Sequence, residues 1–503
     1  MSKPHQINPW ISGLAAVVMT GSAAFGALAD PAYDPTAWRE DYAQLKQTLE
    51  KEYVNLAWFG SAQGGINLPR LDQRTQASLA AARTDAEARQ ALEQFIGAFH
   101  DGHFSVLTTQ AAPAATPEPK VERAPFDAND PISTCAALGF LPTSSVAFSL
   151  PFETLPGFTL KFDGQSSVYR AGIITTAGGG RVGIIRIQAF RMRAFPAACT
   201  LGWENLVKAG KPLTNGAVRD AAYDQWLSAF KDEIAALKAA GVTVLLVDVG
   251  NNTGGDDSGD LFPRLLTDKP VNSAPLMMVA SPTGAQYFDE QLSGIDEALK
   301  ASPSSEATSA LQAGRNYFAQ GKPTTATPCD LSWVWRAQKS WTGPQCKRLA
   351  AAGYAGGAAA VLPRGAYGNQ TVAYQLSMPS GADDMWAMWT GPVYVLTDAK
   401  TYSSAEMFTA VMQDNRIGKT VGVKTGGDGC GFMVEKEPLV LAHSRIRVRM
   451  SNCIRLRRDG GNEVAGITPD IPVLPTEGED DRQRAVRALG AIEADTTKNG
   501  PSK

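Results

Sequence analysis

The spacing of apolar positions changes along the chain from a helical period to short continuous runs. After Asp34, the residues Leu45, Leu49, Tyr53 and Leu56 recur every three or four positions. This spacing places them on one face of a helix that begins near Asp34. The pattern therefore predicts a helical unit in the first part of the chain.

Two later runs are almost entirely apolar, which is typical of strands buried on both faces of a parallel sheet. They occupy residues 242–249 and 391–397, and each leads into a turn and then into a helix. This repeated order predicts an α/β architecture. We expect the two strand-to-helix turns to meet at one site.

Composition changes suggest where the structural units begin and end. At 503 residues the chain exceeds the size at which a single core keeps growing, so two or three units are expected. We predict an export signal (1–29), a helical unit (30–109), a linker and β-rich segment (110–180), an α/β domain (181–476) with an inserted lobe at about 284–366, and a polar, fraying tail (477–503).

The first residues have the features of an export signal. A polar start with Lys3 precedes an apolar run over residues 11–28, which ends in Ala27-Leu28-Ala29. We predict cleavage after Ala29 and a periplasmic or secreted protein. The alternative is a membrane anchor, but glycines and a serine dilute the run, and no other stretch approaches about 20 apolar residues. No stable membrane span is therefore expected after cleavage.

The charge balance argues against a polyanionic partner. Lys and Arg total 47 against 50 Asp and Glu, which gives a net charge of −3. A chain without excess positive charge has no field to hold nucleic acid, so no nucleic acid partner is predicted.

Six cysteines lie beyond the predicted signal, an even number that fits disulfides formed in an oxidising compartment. The sequence does not fix their connectivity. Pairing neighbours in chain order closes the shortest loops, and this hypothesis gives Cys135 with Cys199, Cys329 with Cys346, and Cys430 with Cys453.

A candidate nucleophile lies where the second apolar run ends. Ser403 occupies the turn before the helix predicted from about Ser404, where backbone N–H groups of a helix start are available as donors. A serine hydroxyl needs such donors and a base to become a nucleophile. The alternative is that Ser403 or Ser404 only caps the helix.

Three segments resemble the signatures of the tail-specific (C-terminal processing) protease family, in that family's order. They are the string Ser403-Ser404-Ala405-Glu406-Met407-Phe408, the strand and turn over residues 246–255, and the closing segment over residues 466–473. The resemblance covers roughly residues 180 to 475. It implies a crotonase-like catalytic domain of ββα repeats and hydrolysis of peptide bonds through an acyl-enzyme. It places the nucleophile on Ser403 and the oxyanion donors on the backbone of Ser404 and of Gly254 or Gly255.

The chain departs from the best-known branch of this family at the base. That branch uses a Lys in a Phe-Gly-Lys-Gly string, whereas this chain has Gly426-Gly427-Asp428-Gly429. Lys424 lies four residues earlier, and such a displacement takes an amine out of hydrogen-bond reach.

The tricorn-type and chlamydial-type branch uses a His and a Glu instead, and this chain offers both. His103 follows Asp101-Gly102, and Glu463 precedes the closing strand. The resemblance therefore implies a triad in which His103 takes the proton of the Ser403 hydroxyl and Glu463 orients the His103 ring. His100 and His443 are the alternative histidines.

The sequence thus predicts an exported serine endopeptidase that acts on a protein or peptide. The alternatives are an inactive peptide-binding protein on the same scaffold and a hydrolase of non-peptide acyl substrates. No cofactor or metal is predicted, because the acidic residues near the Gly-rich turn (Asp256, Asp257, Asp260) lack EF-hand spacing. Residues 131–180 are too short for the PDZ-like module that many family members carry. The oligomeric state is left open.

Overall fold

The computed structural model of the chain describes residues 33–107, 127, 129–142, 145–301, 303–323, 329–341, 348–354 and 356–499. The predicted export signal (1–29) lies outside this range. Within it, every helix is too short or too polar to cross a membrane.

The described residues form helices and strands in mixed order. The α-helices are α1 (Pro35–Glu52), α2 (Leu56–Phe59), α3 (Leu68–Ala81), α4 (Asp85–Gly97), α5 (Pro131–Ala137), α6 (Pro196–Lys208), α7 (Asn215–Ala239), α8 (Ser258–Leu265), α9 (Pro282–Lys300), α10 (Ser305–Gly321), α11 (Gln370–Leu376), α12 (Ser404–Asp414) and α13 (Asp481–Asn499). The strands are β1 (Ser105–Leu107), β2 (Phe158–Asp163), β3 (Arg170–Thr175), β4 (Arg181–Arg186), β5 (Val244–Asp248), β6 (Pro275–Val279), β7 (Leu349–Tyr354), β8 (Val393–Thr397), β9 (Lys419–Gly422), β10 (Leu439–Val440), β11 (Arg447–Arg449), β12 (Cys453–Arg455) and β13 (Ile471–Pro472).

The first helices start as the sequence indicates. Asp34 caps α1 by accepting a hydrogen bond from the Thr36 N–H, and Pro35 occupies the first turn, where its missing N–H costs nothing. Leu45 and Leu49 of α1 are fully buried in a core shared with α3 and α4. The predicted face packs at Leu45 and Leu49, whereas α1 ends before Tyr53, and Leu56 begins the separate helix α2.

A seven-stranded sheet forms the centre of the molecule, in the order β13-β9-β8-β5-β4-β3-β2. The strands β4, β5, β8, β9 and β13 run parallel, and β2, β3 and β4 pair antiparallel. Every residue of β5 and β8 is buried, as their apolar runs predict. Because β5 and β8 are parallel neighbours, their carboxyl ends lie at the same edge of the sheet.

Two smaller antiparallel sheets lie beside the central one. The first has the order β12-β6-β7, and the second has the order β1-β11-β10. The second sheet joins the strand that follows the helical unit to a strand near the end of the chain, since Ser105 pairs with Arg449.

Two predicted boundaries differ from the structure. Strands β2 and β3 belong to the central sheet, so this sheet begins well before residue 181 and the segment 110–180 does not simply link two units. The predicted fraying tail instead forms α13, whose Ala485, Leu489 and Ile492 are buried against the sheet. Charged residues are numerous in the tail, but Ala485, Ala488, Leu489 and Ile492 lie on one face of α13 and are buried.

The predicted lobe at about 284–366 is tied to the rest of the fold. Its strand β7 pairs with β6, and Val334 and Trp335 pack in the core of the N-terminal helices. These contacts connect the helical unit to the central domain.

Two of the hypothesised disulfides are confirmed. Cys135 bonds Cys199, and Cys430 bonds Cys453. The third pair includes Cys346, which lies outside the described residues.

Candidate active site

The turns that follow β5 and β8 touch, as the sequence predicts. A Cβ added to Gly254, after β5, would lie 2.7 Å from the Ser403 Cβ and 2.7 Å from the Ser404 backbone nitrogen, after β8. The backbone at Gly254 also has φ of +88°, a conformation that favours glycine. The close approach of the two turns therefore requires glycine at this position.

Ser403 has an unusual backbone conformation, with φ of 53° and ψ of −118°. Such a conformation costs about 1–3 kcal/mol for a residue with a side chain and persists only where its surroundings hold it. The Ser403 N–H donates to the Glu406 carboxylate at 3.1 Å, and the Ser403 carbonyl accepts from the Glu406 and Met407 amides. These bonds hold the residue at the start of α12.

Glu406 connects this turn to the loop that follows β9. Its buried carboxylate also accepts from the Thr425 hydroxyl and from the consecutive amides of Gly427, Asp428 and Gly429, at 2.6–2.9 Å. Burial raises the pKa of Glu406 to about 7, against the opposing effect of the Thr425 hydrogen bond. The string Gly426-Gly427-Asp428-Gly429, which stands where the best-known branch of the resembled family has its Lys, is folded around this glutamate.

His103 lies in the loop between α4 and β1, beside Asp101 and Asp428. Its Nδ1 is 3.3 Å from the Asp428 carbonyl oxygen, an acceptor that favours a proton on Nδ1 and leaves Nε2 as the basic nitrogen. Its backbone N–H donates to Asp101, whose other oxygen accepts from the Tyr53 hydroxyl. Burial lowers the pKa of His103, so the ring is neutral and can accept a proton at neutral pH.

Carboxylates do lie near His103, but Glu463 is not the one that the structure places there. One oxygen each of Asp101 and Asp428 and a ring nitrogen of His103 all lie within 4.8 Å of one another. Glu463 instead forms a buried ion pair with Arg455, at 2.9–3.2 Å. Among the described contacts of Glu463 there is no hydrogen bond to His103, so the predicted orienting role does not match this geometry. The spacing in the sequence indicates that Glu463 lies near the site, but it does not show that Glu463 forms an ion pair with a buried arginine.

The two candidate glycines for the oxyanion hole differ in what their amides do. The Gly254 N–H donates to the Asn252 side chain at 2.8 Å and is therefore occupied, which argues against this half of the prediction. Within the described part of the chain, the amides of Gly255 and Ser404 have no hydrogen-bond acceptor. These two N–H groups are the available donors.

Ser403 and His103 line one cavity of about 830 Å³. Its wall also includes Arg191, Asp257 and Arg455, so both signs of charge face the same space.

The rival bases lie elsewhere. His100 and Lys424 are exposed outside the cavity, and His443 bonds Glu40 at the surface. Among the described histidines, only His103 lines the cavity.

Two residues that organise the site are not predicted from the sequence. The sequence predicts Glu406 only as part of a motif. An acidic residue three positions after a serine is nevertheless a signal for a helix start that the acidic side chain stabilises. Arg455 gave no signal, because an arginine in an alternating polar strand is usually on the surface.

A protein-family model matches part of the chain. Residues 347–473 match the model of peptidase family S41, a segment that contains Ser403, Glu406, Asp428, Arg455 and Glu463. This part of the chain belongs to peptidase family S41. The match confirms the resemblance to the tail-specific proteases, and the chain is accordingly a serine-type peptidase.

Solved structures resemble the chain over nearly its whole length. The structure of mature CPAF aligns with a TM-score of 0.54 at 14% identity and covers 93% of this chain and 99% of that one. The structure of mature CPAF complexed with lactacystin gives a TM-score of 0.53 at 14% identity, with 92% and 99% covered. At this identity the likeness shows the fold, a mixed α/β architecture with a helical N-terminal region. No curated protein sequence matches the chain.

Proposed function

We propose that this S41 peptidase is an exported endopeptidase that cleaves peptide bonds through an acyl-enzyme on Ser403, in a crotonase-like catalytic domain. The observation that carries the proposal is the strained Ser403 turn, which lines the same cavity as a half-buried, neutral His103. Strained backbone at the end of a parallel strand is a recurrent setting for a nucleophilic serine.

Each step of the reaction has a residue in this chain. His103 Nε2 takes the Ser403 hydroxyl proton as Oγ attacks the carbonyl carbon of the substrate. The N–H groups of Gly255 and Ser404 receive the negative charge that develops on the carbonyl oxygen. The imidazolium then gives its proton to the leaving amine, the C–N bond breaks, and water releases the acyl group by the same steps.

Support for the imidazolium comes from its neighbours. The Asp428 carbonyl accepts from Nδ1, and the Asp101 carboxylate lies 4.0 Å from that nitrogen. A negative group near Nδ1 stabilises the cation that forms when the serine proton is transferred. In this proposal Asp101 and the Asp428 backbone, rather than Glu463, orient the His103 ring and stabilise the imidazolium.

Export is supported by two observations of different kinds. The chain begins with a leader-like sequence, and two disulfides form in the described part of it. Structural disulfides persist in oxidising compartments, which fits a periplasmic or secreted location. N-terminal sequencing of the secreted protein should begin at Asp30, and a retained leader would contradict cleavage after Ala29.

The activity is tested by hydrolysis of a quenched fluorescent peptide library and of a matched set of esters. Wild type should cleave peptides, and Ser403→Ala and His103→Ala should each lose activity by on the order of 10⁴- to 10⁶-fold. His443→Ala is the matched control, since His443 is a surface histidine bonded to Glu40, and it should retain full activity.

The other outcomes identify the rival functions. Hydrolysis of esters without peptides would indicate a non-peptide acyl substrate. Peptide binding without any hydrolysis by folded wild type would favour a binding protein on the same scaffold.

A further inference from the structure

A buried arginine connects Glu463 to the nucleophile. Arg455, at the end of β12, is 5% exposed, and its Nε and Nη2 bond both oxygens of Glu463, which is 1% exposed. The same Nη2 donates to the Ser403 carbonyl oxygen at 3.3 Å. One guanidinium therefore joins the predicted third triad member to the residue with the strained backbone.

The burial of the Arg455–Glu463 ion pair is not explained by stability alone. Removing two charges from water costs several kcal/mol per ion, and hydrophobic residues of similar volume often stabilise a fold as well or better. A buried ion pair is therefore better explained by a geometric requirement than by stability. Here the requirement is visible, because the planar fork of Arg455 reaches a carboxylate and a backbone carbonyl at once.

The position of Arg455 makes it suited to hold the turn. The Ser403 carbonyl already accepts from the amides of Glu406 and Met407, and the guanidinium adds a charged donor from a different sheet. Two residues before Arg455, Cys453 is bonded to Cys430, which lines the cavity beside the His103 loop. Strand β12 is thus fixed to both halves of the site.

Arg455 also faces the reacting groups. It lines the cavity with Ser403 and His103, and its positive charge is one of the influences that disfavour protonation of His103, after burial. Asp101 and the Asp428 carbonyl raise the pKa of His103, and Arg449 lowers it as Arg455 does. A neutral residue in place of Arg455 should therefore make His103 easier to protonate.

We infer that Arg455 is a positioning residue that holds the Ser403 turn in its reactive conformation, and that Glu463 acts on Ser403 through Arg455 rather than on His103. The inference rests on the proposed function, because it assigns roles within the same site.

The chain offers a matched control at the other end of the same helix. Arg457 forms a similar ion pair with Asp414, at 2.6 and 2.9 Å, and so holds the C-terminal end of α12. Arg457→Met removes an arginine, an ion pair and a helix contact without touching the nucleophile.

The experiment compares Arg455→Met, Arg455→Lys and Arg457→Met by the rate of labelling with a fluorophosphonate, as a function of pH. Arg455→Met should slow labelling by about 10²-fold, the effect of a misplacement near 1 Å, and move the acid limb of the pH profile upward. Arg455→Lys retains the charge but not the fork, so it should be slow with the acid limb at the wild-type position. Arg457→Met should label at the wild-type rate.

A second measurement does not depend on activity. Hydrogen exchange of the amides of Glu406 and Met407 should become faster in Arg455→Met than in wild type or Arg457→Met, because the Ser403 turn is released. Unchanged exchange in folded Arg455→Met and Arg455→Lys would overturn the inference even if wild type proved inactive. Failure of the proposed function and failure of this inference are therefore distinguishable.

A double-mutant cycle tests the role of Glu463. If Glu463 acts through Arg455, then Glu463→Gln should slow labelling in wild type but add little in the Arg455→Met background. If the two effects multiply as independent changes, Glu463 acts by another route and the second half of the inference is wrong.

Discussion

Replacement of Gly254 by alanine should disable the nucleophile through a contact that can be measured on the structure. The new Cβ would lie 2.7 Å from both the Ser403 Cβ and the Ser404 nitrogen, whereas ordinary contacts begin at 3.4 Å. The Ser403 turn must therefore move by roughly 0.7 Å. A displacement of that order at a nucleophile should lower the acylation rate by about 10²-fold.

The backbone at Gly254 adds a second cost that must be separated from the first. An alanine at φ of +88° loses about 1–2 kcal/mol of stability. Gly179, in the hairpin between β3 and β4, has φ of +84° with nothing within 4 Å of an added Cβ. Gly179→Ala should therefore carry the same loss of stability and no loss of activity.

The assay combines thermal unfolding with the rate of fluorophosphonate labelling for Gly254→Ala, Gly179→Ala and wild type. We expect both variants to unfold a few degrees lower and only Gly254→Ala to label slowly. Labelling of Gly254→Ala at the wild-type rate would show that the close approach of the two turns does not require glycine at this position.

Four further predictions follow from the same geometry. In Gly431→Ala the new Cβ would lie 2.6 Å from the His103 ring, so peptide hydrolysis should fall with little change in melting temperature, and unchanged hydrolysis would place the base elsewhere. Since burial lowers the pKa of His103 from 6.5, the rate should hold as pH falls to 6.5 and drop only below it, and an acid limb above 6.5 in the pH–rate profile would contradict a base of lowered pKa. Stability should also decline below pH 6.5, where the unfolded chain protonates first. Replacement of Cys430 and Cys453 by Ala should cost about 2–4 kcal/mol in denaturant unfolding and slow hydrolysis, and identical unfolding and kinetics would show that the disulfide does not brace the site. Glu406→Gln should destabilise the fold by about 1–3 kcal/mol, because an amide nitrogen would face backbone donors, and wild-type melting would argue against the observed network.

The parts of the fold that the sequence predicts well are those in which local pattern and tertiary environment agree. The apolar runs at β5 and β8 predict buried strands, Asp34 with Pro35 predicts a helix start, and the structure has both. The tail is not predicted as a packed helix, since α13 mixes charged and apolar residues and its packing depends on four spaced apolar residues, Ala485, Ala488, Leu489 and Ile492, that meet the sheet. The runs that form β2 and β3 are predicted as part of a linker and β-rich segment outside the α/β domain, because nothing local shows which sheet a strand will join.

The site was predictable where chemistry follows from position. Ser403 at a strand end and the Gly-rich turn beside it follow from the order of elements. The partners of charged groups do not, because they depend on distances between remote segments. Glu463 and Arg455 are only eight residues apart, yet the sequence cannot tell whether that carboxylate faces an arginine or a histidine.

The role of Ser403 as the nucleophile, with His103 as its base, is tested by labelling the folded protein with a fluorophosphonate and locating the adduct by peptide mapping. We predict a single adduct on Ser403, which is absent from Ser403→Ala and sharply reduced in His103→Ala. An adduct on another serine, or none on folded protein that binds peptides, would contradict it.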